Sequence, residues 1–343
     1  MEIRTERQAS PVADPVEAKI AIMRPILASL LNSLNAEIFE DFDYAATNKP
    51  RGALPLRELG RLHSRGDGDV GLAFEYAIHD AVLTRQPAVL ERVTDALKEC
   101  RIRQGQTESI FFAVEKAGSE QLINTHMHLI TDHSVVLSSP QEPPIPLKSH
   151  LADIASAFRK RSARTLLPQS IRGLWKADLL LGSLALDHWV GTTVKTNPRH
   201  LQGDAGLRIG IVPASSGRSD RIKRDSSKNL VICPIPHDES YMQIFYETWW
   251  IAMALMKTKF QMPREVDLPR PEDRYVARVF CDKSAFTIAD ALDATENQAQ
   301  PHLLTTNSIM VRNDPINRTA PATAVIVVPQ AMFGDDAPTP QNI

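Results

Sequence analysis

Cysteine is scarce. Cys100, Cys233 and Cys281 are spread over 343 positions, odd in number and in no Cys-x-x-Cys pair. Neither a disulfide framework nor a zinc ribbon is suggested, and reduced thiols in a cytosol fit best. No sign of charge dominates either: 39 Lys and Arg stand against 41 Asp and Glu, a net charge of −2. That balance argues against a globally basic nucleic-acid coat protein and leaves only a local positive groove to be sought. Long hydrophobic runs are missing. The longest, around "TWWIAMALM", is too short to span a bilayer, and the N-terminal "MEIRTERQAS" has no apolar signal region. The expectation is a cytoplasmic protein with no membrane partner. The chain also lacks an internal repeat, a heptad array, a G-x-S-x-G elbow and a dinucleotide-binding fingerprint.

What is present is ordinary globular material, 43% hydrophobic and 23% charged, in a length that suits one elaborated domain or two unequal ones. Residues 1–14 are polar and expected to be disordered, 15–313 form a single domain, and the Pro- and Asn-rich 314–343 read as a loosely ordered tail. The part from 15 to 165 is predicted to be mainly helical. "PVEAKIAIMRPILASLLNSLNAEIF" has helical spacing with a bend near Pro25, and "VGLAFEYAIHDAVLTR" and "PAVLERVTDALKECRI" follow. "SIFFAVEKAG" reads as a short helix or strand, and "SHLADIASAFRKRSARTLL" as a helix with Ser149 as N-cap. The sheet core is expected over 172–258. Four strands, "ADLLLGS", "WVGTTVKT", "GLRIGIVPA" and "NLVICPI", form a mostly antiparallel sheet closed by the helix "DESYMQIFYETWWIAMALMK". One or two further helices lie within 271–295. Helices, a sheet and more helices make an α+β or three-layer α/β chain.

The hairpin "KADLLLGSLALDHWVGTTVKTN" looks built for burial, yet it carries Asp178 in its first strand and Lys195 in its second. Charges in such a place are normally paired, set at a strand end or bound to a metal. With the turn near 185–187, the two side chains leave one face of the sheet and converge at one edge. An acid and a lysine on a sheet, joined by a carboxylate from a helix, are what metal-assisted phosphodiester cleavage requires. The acids hold a hard divalent ion, while the lysine orients water and offsets charge on the phosphorane. The competing structural reading has Asp178 ending a strand beside Lys176, Lys195 in solvent and Glu75 on a polar helix face.

This constellation resembles the PD-(D/E)xK, restriction-endonuclease-like nuclease superfamily, over residues 66–84 and 172–258. Asp178 in "KADLLLG" matches the motif's first acid and Lys195 in "TTVKT" its lysine. Glu75 in "GLAFEYAIHDAV" is similar to the helical acid that many members place upstream of the sheet. The resemblance implies a central mixed sheet flanked by helices with a helical N-terminal region. It implies Glu75, Asp178 and Lys195 as catalytic residues, Mg²⁺ (or Mn²⁺) held by Glu75 and Asp178, and DNA as substrate. It further implies a role in prokaryotic defence, as a homo-oligomer or beside a partner defence subunit. The pattern asks for an acid two residues before the lysine, where this chain has Thr193. A hydroxyl is a far weaker ligand for Mg²⁺ than a carboxylate. Glu75 is the favoured substitute, with Asp187 from the turn as a second choice. The alternative is a catalytically degenerate nuclease-fold module that binds nucleic acid or a partner protein.

The loop "SSGRSDRIKRDSSKN" carries Arg218, Arg221, Lys223, Arg224 and Lys228, which suit DNA phosphates, and "FRKRSAR" at 158–164 could add to it. A solvated hairpin tip is the bland reading. His126, His128 and His133 alternate as zinc ligands can, without a nearby acid to complete the set. "GDGDVG" at 66–71 lacks a Walker lysine and an EF-hand glutamate, and reads as a turn before the Glu75 helix. Trp249 and Trp250 read as core residues of the apolar helix.

Overall fold

The computed structural model describes residues 14–34, 51–63, 66, 68–113, 130–138, 143–160, 162–167, 169–201, 203, 206–214, 221–237, 241–261 and 268–296. All of these belong to one compact unit, 1–309. The first helix, α1 (Pro15–Ser33), starts where Asp14 accepts a hydrogen bond from Val16 N at 2.8 Å and Pro15 sets the first helical φ. Asp14 therefore belongs to the helix start and not to a disordered leader, and residues 1–13 lie outside the described residues. Pro25 is accommodated within α1, whose Ile22, Met23, Ile26, Leu27 and Leu30 are buried. Then come α2 (Leu56–Leu62), α3 (Asp69–Leu83) and α4 (Pro87–Glu99). Of the turn read at 66–71, Gly68 lies in a turn, Asp67 is outside the described residues and 69–71 already belong to α3. Asp69 accepts from Gly66 N at 2.7 Å and shares a hydrogen bond of 3.0 Å with the His63 ring.

The segment to residue 165 is less uniformly helical than its sequence suggests, because it contributes three strands: β1 (Thr107–Phe111), β2 (Val135–Val136) and β3 (Ile145–Pro146). The short helices α5 (Leu151–Arg159), α6 (Ala163–Leu166) and α7 (Gln169–Trp175) lead into the main strands. Ser149 does not cap α5. A 3-10 turn, Lys148–His150, precedes that helix, His150 occupies the cap position, and the Ser149 hydroxyl donates to Pro146 O at 2.8 Å. After β4 (Leu179–Ser183), β5 (His188–Val194), β6 (Arg208–Pro213), β7 (Lys223–Asp225) and β8 (Leu230–Ile235), the chain ends its described part with α8 (Tyr241–Lys257), α9 (Pro271–Asp282) and α10 (Ile288–Glu296).

The class is α+β: a mixed eight-stranded sheet flanked by helices, in the order β1-β4-β5-β6-β8-β7 with β2 and β3 attached beside β5. Four of its seven strand pairs are antiparallel, but the four strands read from the sequence, β4, β5, β6 and β8, are joined by one antiparallel and two parallel pairs and so are not mostly antiparallel. β1, β4 and β5 are antiparallel neighbours, whereas β5, β6 and β8 run parallel. Helices cover both faces, so parallel β6 and antiparallel β4 alike are buried at every position and read as near-continuous apolar runs. One face carries Leu179, Leu181, Val190, Ile209, Ile211 and Val231 into a large core shared with α1, α3, α4 and α8. The other carries Ile110, Leu180 and Trp189 into a smaller core with α5 and α7. Gly182 lets β4 and β5 close up, since a Cβ there would meet the His188 carbonyl oxygen at 2.1 Å. No helix among the described residues is long and apolar enough to cross a membrane. The three thiols are free, and burial pushes those of Cys100 and Cys233 up to about 12.

Charges lock the helical layer from inside. Lys19, 1% exposed on α1, donates to Asp273 of α9 at 2.5 Å and pairs with Glu247 of α8 at 3.0 Å. Glu247 is also held by Arg270 at 2.6 Å. Removing the ammonium leaves Asp273, itself 4% exposed, as an uncompensated buried charge. Lys19→Ala is therefore expected to cost about 3–5 kcal/mol, measured by denaturant unfolding; a loss within ordinary surface variation would mean that the pair is dispensable.

His79 of α3 hydrogen-bonds Ser109 of β1 at 2.9 Å, and burial, helped by the Arg24 charge, lowers its pKa to about 4. The unfolded chain protonates this ring near its ordinary 6.5 while the native chain does not, so stability is lost as pH falls from there toward 4. Neighbouring Asp80 works in the opposite sense. Burial raises its pKa to about 6 against the pull of Arg24, so it contributes stability at low pH that is lost as pH rises through 6. Thermal melts should separate the two: between pH 6.5 and 4.5 the parent is expected to lose stability more steeply than His79→Gln, and parallel slopes would contradict it.

Candidate active site

The hairpin brings its two charges together. Leu179 pairs with Thr192 and Ser183 with His188. One further step sets Asp178 opposite Thr193, with Lys195 two residues on and on the same face. Asp178 is pinned from both sides. Its N–H donates to Thr192 O at 2.9 Å, its carbonyl accepts from Phe112 and Ala113 N at 3.0 and 2.9 Å, and its Oδ2 accepts from Val194 N at 2.9 Å. The same oxygen accepts from Lys195 Nζ at 3.0 Å. Lys195 is fixed at its backbone by an N–H to Ile211 O, 2.9 Å, which prolongs the parallel ladder.

Glu75 arrives from the helix layer. On α3, Phe74, Ala77, Ile78 and Ala81 are buried in the core, and Glu75 one position round the helix is directed to the sheet end, with Oε1 3.6 Å from Lys195 Nζ. Both carboxylates thus lie within reach of one ammonium, and their oxygens can be no farther apart than the sum of those two distances, below the roughly 7 Å at which two carboxylates can share an ion. Asp178 and Glu75 are each 2% exposed at the side chain, whereas Lys195 is 28% exposed. The ammonium is the part of the cluster that faces solvent. The cluster sits at the carboxyl ends of the parallel strands, beside β5, the strand at which the sheet changes from antiparallel to parallel. Open sheets hold ligands at such places.

The residues present fit a divalent ion of the Mg²⁺ kind by their donor chemistry. Among the described residues no group of three or more His, Cys, Asp or Glu side chains is assembled, and Mg²⁺ needs only one or two carboxylates when water and substrate phosphate complete its shell.

Thr193 shares the face of Asp178 and Lys195, and it lies beside a buried guanidinium. Arg208, 5% exposed at the start of β6, reaches Thr193 Oγ1 with Nη1 at 3.5 Å and donates through Nη2 to Gly173 O. The sequence reading did not single out Arg208, which lies within the strand segment "GLRIGIVPA". Asp187, the second choice of substitute ligand, is at the wrong end of the hairpin. Eight residues of β5 separate it from Lys195, roughly 26 Å of strand. Its carboxylate accepts from Ser134 Oγ at 2.5 Å, Trp189 Nε1 at 3.0 Å and Thr131 Oγ1. Burial would raise its pKa, but those hydrogen bonds hold it below the ordinary value.

The basic loop is not gathered at the cluster. Thr193, Gly210, Ile232 and Lys223 form one row across β5, β6, β8 and β7, which puts Lys223 three strand spacings, roughly 14 Å, from β5. Arg224 donates to Glu99 O at 3.4 Å, and Lys228 pairs with Asp225 at 3.8 Å toward the opposite end of the sheet. Arg221 precedes β7, on the same end as Lys195. Arg218, His126 and His128 lie outside the described residues, and His133 sits in a turn near Asp187. Trp249 is in the core at 6% exposure, but Trp250 is 63% exposed.

Comparison with protein-family models, curated proteins and solved structures returned no match. The site therefore has to be read from its own chemistry. Its sharpest test is at Thr193. A carboxylate installed there meets the Arg208 guanidinium first, so Thr193→Glu is expected to bind Mg²⁺ within a few-fold of the parent in calorimetric titration; an increase of tenfold or more would show position 193 contributing directly to an ion site.

Proposed function

We propose that this chain is a metal-dependent endonuclease acting on DNA, with Glu75 and Asp178 as ligands of Mg²⁺ or Mn²⁺ and Lys195 as the group that meets the scissile phosphate. The single observation that carries this reading is the convergence of Lys195 Nζ on Asp178 at 3.0 Å and Glu75 at 3.6 Å, from two strands and a helix. A purely structural ion pair needs two partners. Here two buried acids from different layers meet one ammonium that remains partly open to solvent, an arrangement of hard oxygen donors that suits a divalent cation.

The bound ion would supply a Lewis acid at the phosphoryl group and a nucleophile at neutral pH. The chain's own residues do the rest. Asp178, held through its backbone by β1 and β5, fixes where Lys195 Nζ sits. From there the ammonium can donate to a non-bridging phosphate oxygen and offset the charge that develops as the attacking oxygen adds. Glu75 is shielded by the helix layer, in a region of low dielectric where a carboxylate acts more strongly on a cation than it would in water. A nuclease working on foreign DNA in a defence system accords with this chemistry.

A second reading has an observation of its own in its favour. The contact of Thr193 with Arg208 removes the motif's second acid, which suits a nuclease-fold module that binds nucleic acid or a partner protein without cutting. Plasmid nicking in Mg²⁺ or Mn²⁺, with and without EDTA, separates the two. Asp178→Asn keeps an acceptor for Val194 N, unlike Asp178→Ala, and so tests charge without opening the strand pair. Asp178→Asn, Glu75→Gln and Lys195→Gln are each expected to lower the nicking rate at least 100-fold, a span typical of lost electrostatic stabilisation; the two carboxamide variants should melt close to the parent, whereas Lys195→Gln takes the ammonium from two buried acids and should melt lower. EDTA-insensitive nicking, or parental rates in all three variants, would remove the metal-nuclease reading, and binding without any cutting would favour the second.

A further inference from the structure

The cations closest along the chain to Asp178 are those of α6 and α7, not those of the 221–228 segment. Arg164, Thr165, Arg172, Trp175 and Lys176 line a cleft of about 190 Å³ on the surface of the smaller helical layer. Three of the five are cationic and none is acidic. Lys176 and Arg172 are exposed and stand four residues apart at the end of α7, so they share a helix face.

The guanidinium groups are held in place by their inner edges. Arg172 donates through Nη2 to Thr165 O at 2.9 Å and Leu167 O at 3.3 Å. Arg164 donates through Nε to Ala157 O at 3.3 Å and lies over the Trp175 ring, 5.3 Å from its centroid. Among the described residues no carboxylate pairs with either, although an arginine presents five donors in a fixed fork. A second observation points the same way. Trp175 is 2% exposed, and its indole Nε1, buried as well, has no hydrogen-bond partner among the described residues. Buried donors are normally satisfied. Two guanidinium groups preorganised by backbone carbonyls, with no carboxylate on either among the described residues, are matched by an anion, and a tetrahedral phosphate offers acceptors in several directions.

Position relates the cleft to the catalytic cluster. Lys176 is two residues from Asp178, so their Cα atoms are at most about 7.6 Å apart. A nucleic-acid strand advances about 3.4 Å per phosphate, and a strand whose scissile phosphate meets Lys195 would set a phosphate one to three nucleotides away at this cleft. Trp175 is covered by Arg164 and offers no open ring face on which a base could stack.

We propose that the Arg164–Arg172–Lys176 cleft grips one or two backbone phosphates of duplex DNA next to the scissile bond, independently of base sequence; for the identity of the polyanion this rests on the nuclease reading. The test uses the full chain and a labelled duplex in EDTA, so that binding is read without cleavage, with affinity followed over a range of salt. Arg172→Gln/Lys176→Gln is expected to flatten the log–log salt slope by about 0.9–1.8, one or two phosphate contacts, equally on duplexes of unrelated sequence. Arg172 also holds two backbone carbonyls, so if the double variant melts early the exposed Lys176→Gln alone carries the test, with an expected change of about 0.9.

A parent slope left unchanged in a folded variant overturns the proposal. So does displacement of the duplex by a mononucleotide at comparable concentration, which would assign the cleft to a small phosphate ligand. Failure of the nuclease reading looks different. A parent that binds with the predicted slope change but never nicks in Mg²⁺ or Mn²⁺ keeps the cleft and loses the catalysis, whereas a parent that nicks with an unaltered slope loses only the cleft. A parent that does not bind duplex loses both.

Discussion

Asp178, just before β4, is tied to both neighbouring strands at once. Its backbone N–H and carbonyl are spent on β5 and on the residues following β1, and its side chain accepts the Val194 N–H at the end of β5. A carboxylate used in this way closes a ladder that would otherwise leave a buried donor without a partner. It also fixes the acid itself to a fraction of the freedom a surface aspartate has. Everything proposed for the site depends on that constraint, because Lys195 is positioned by the same oxygen. The charge that seemed out of place in an apolar hairpin is thus a structural element, and the competing structural reading is correct in part: Asp178 stands at a strand end. What it does not account for is Glu75, which comes from another layer to the same ammonium.

The layer arrangement explains why such a convergence can occur. Asp178 precedes β4 and Lys195 follows β5, so both stand just beyond the paired part of the sheet. There a side chain from α3 can meet residues that within the pleat would face the opposite helical layer. Parallel β5, β6 and β8 align their carboxyl ends at this edge, while antiparallel β4 delivers the start of a strand to it. A wholly antiparallel sheet of the kind read from the sequence would alternate strand starts and ends along every edge. The mixed sheet gathers three like ends and one acid-bearing start.

The elements with strong periodicity were legible. The helices at Pro15–Ser33, Asp69–Leu83, Pro87–Glu99 and Tyr241–Lys257, and the strands that became β4, β5, β6 and β8, follow from apolar spacing and β-branched runs. β1 was read as helix or strand because "TESIF" is a half-buried edge segment without clean alternation, and the two- and three-residue strands β2, β3 and β7 carry no pattern at all. Burial on both faces could have been suspected, since "RIGIVP" and "LVICPI" do not alternate as a one-sided antiparallel strand would. At the site, Asp178 and Lys195 stood out because hairpin register is short-range and two charges interrupt apolar runs. Arg208 was invisible for the opposite reason: its partners, the Thr193 hydroxyl and the Gly173 carbonyl, are set by packing across the sheet and leave no mark in local sequence. Asp187 misled because nearness in the chain to a turn says nothing about which end of a hairpin the turn occupies.

The three charged groups of the cluster differ in what they are able to do. Glu75 and Asp178, both 2% exposed, are enclosed by α3, β4 and β5 and cannot leave without opening the core. Lys195 has its backbone in the β6 ladder but a four-carbon stem ending partly in solvent. An ammonium so placed can turn from a carboxylate to a phosphate with little disturbance, because its heavy desolvation cost has not been incurred. The same cannot be said of Arg208, 5% exposed and committed to the Gly173 carbonyl. The enclosed guanidinium therefore lies on the neutral Thr193 side of the cluster, and the ammonium, on the acidic side, is its more solvent-accessible cation.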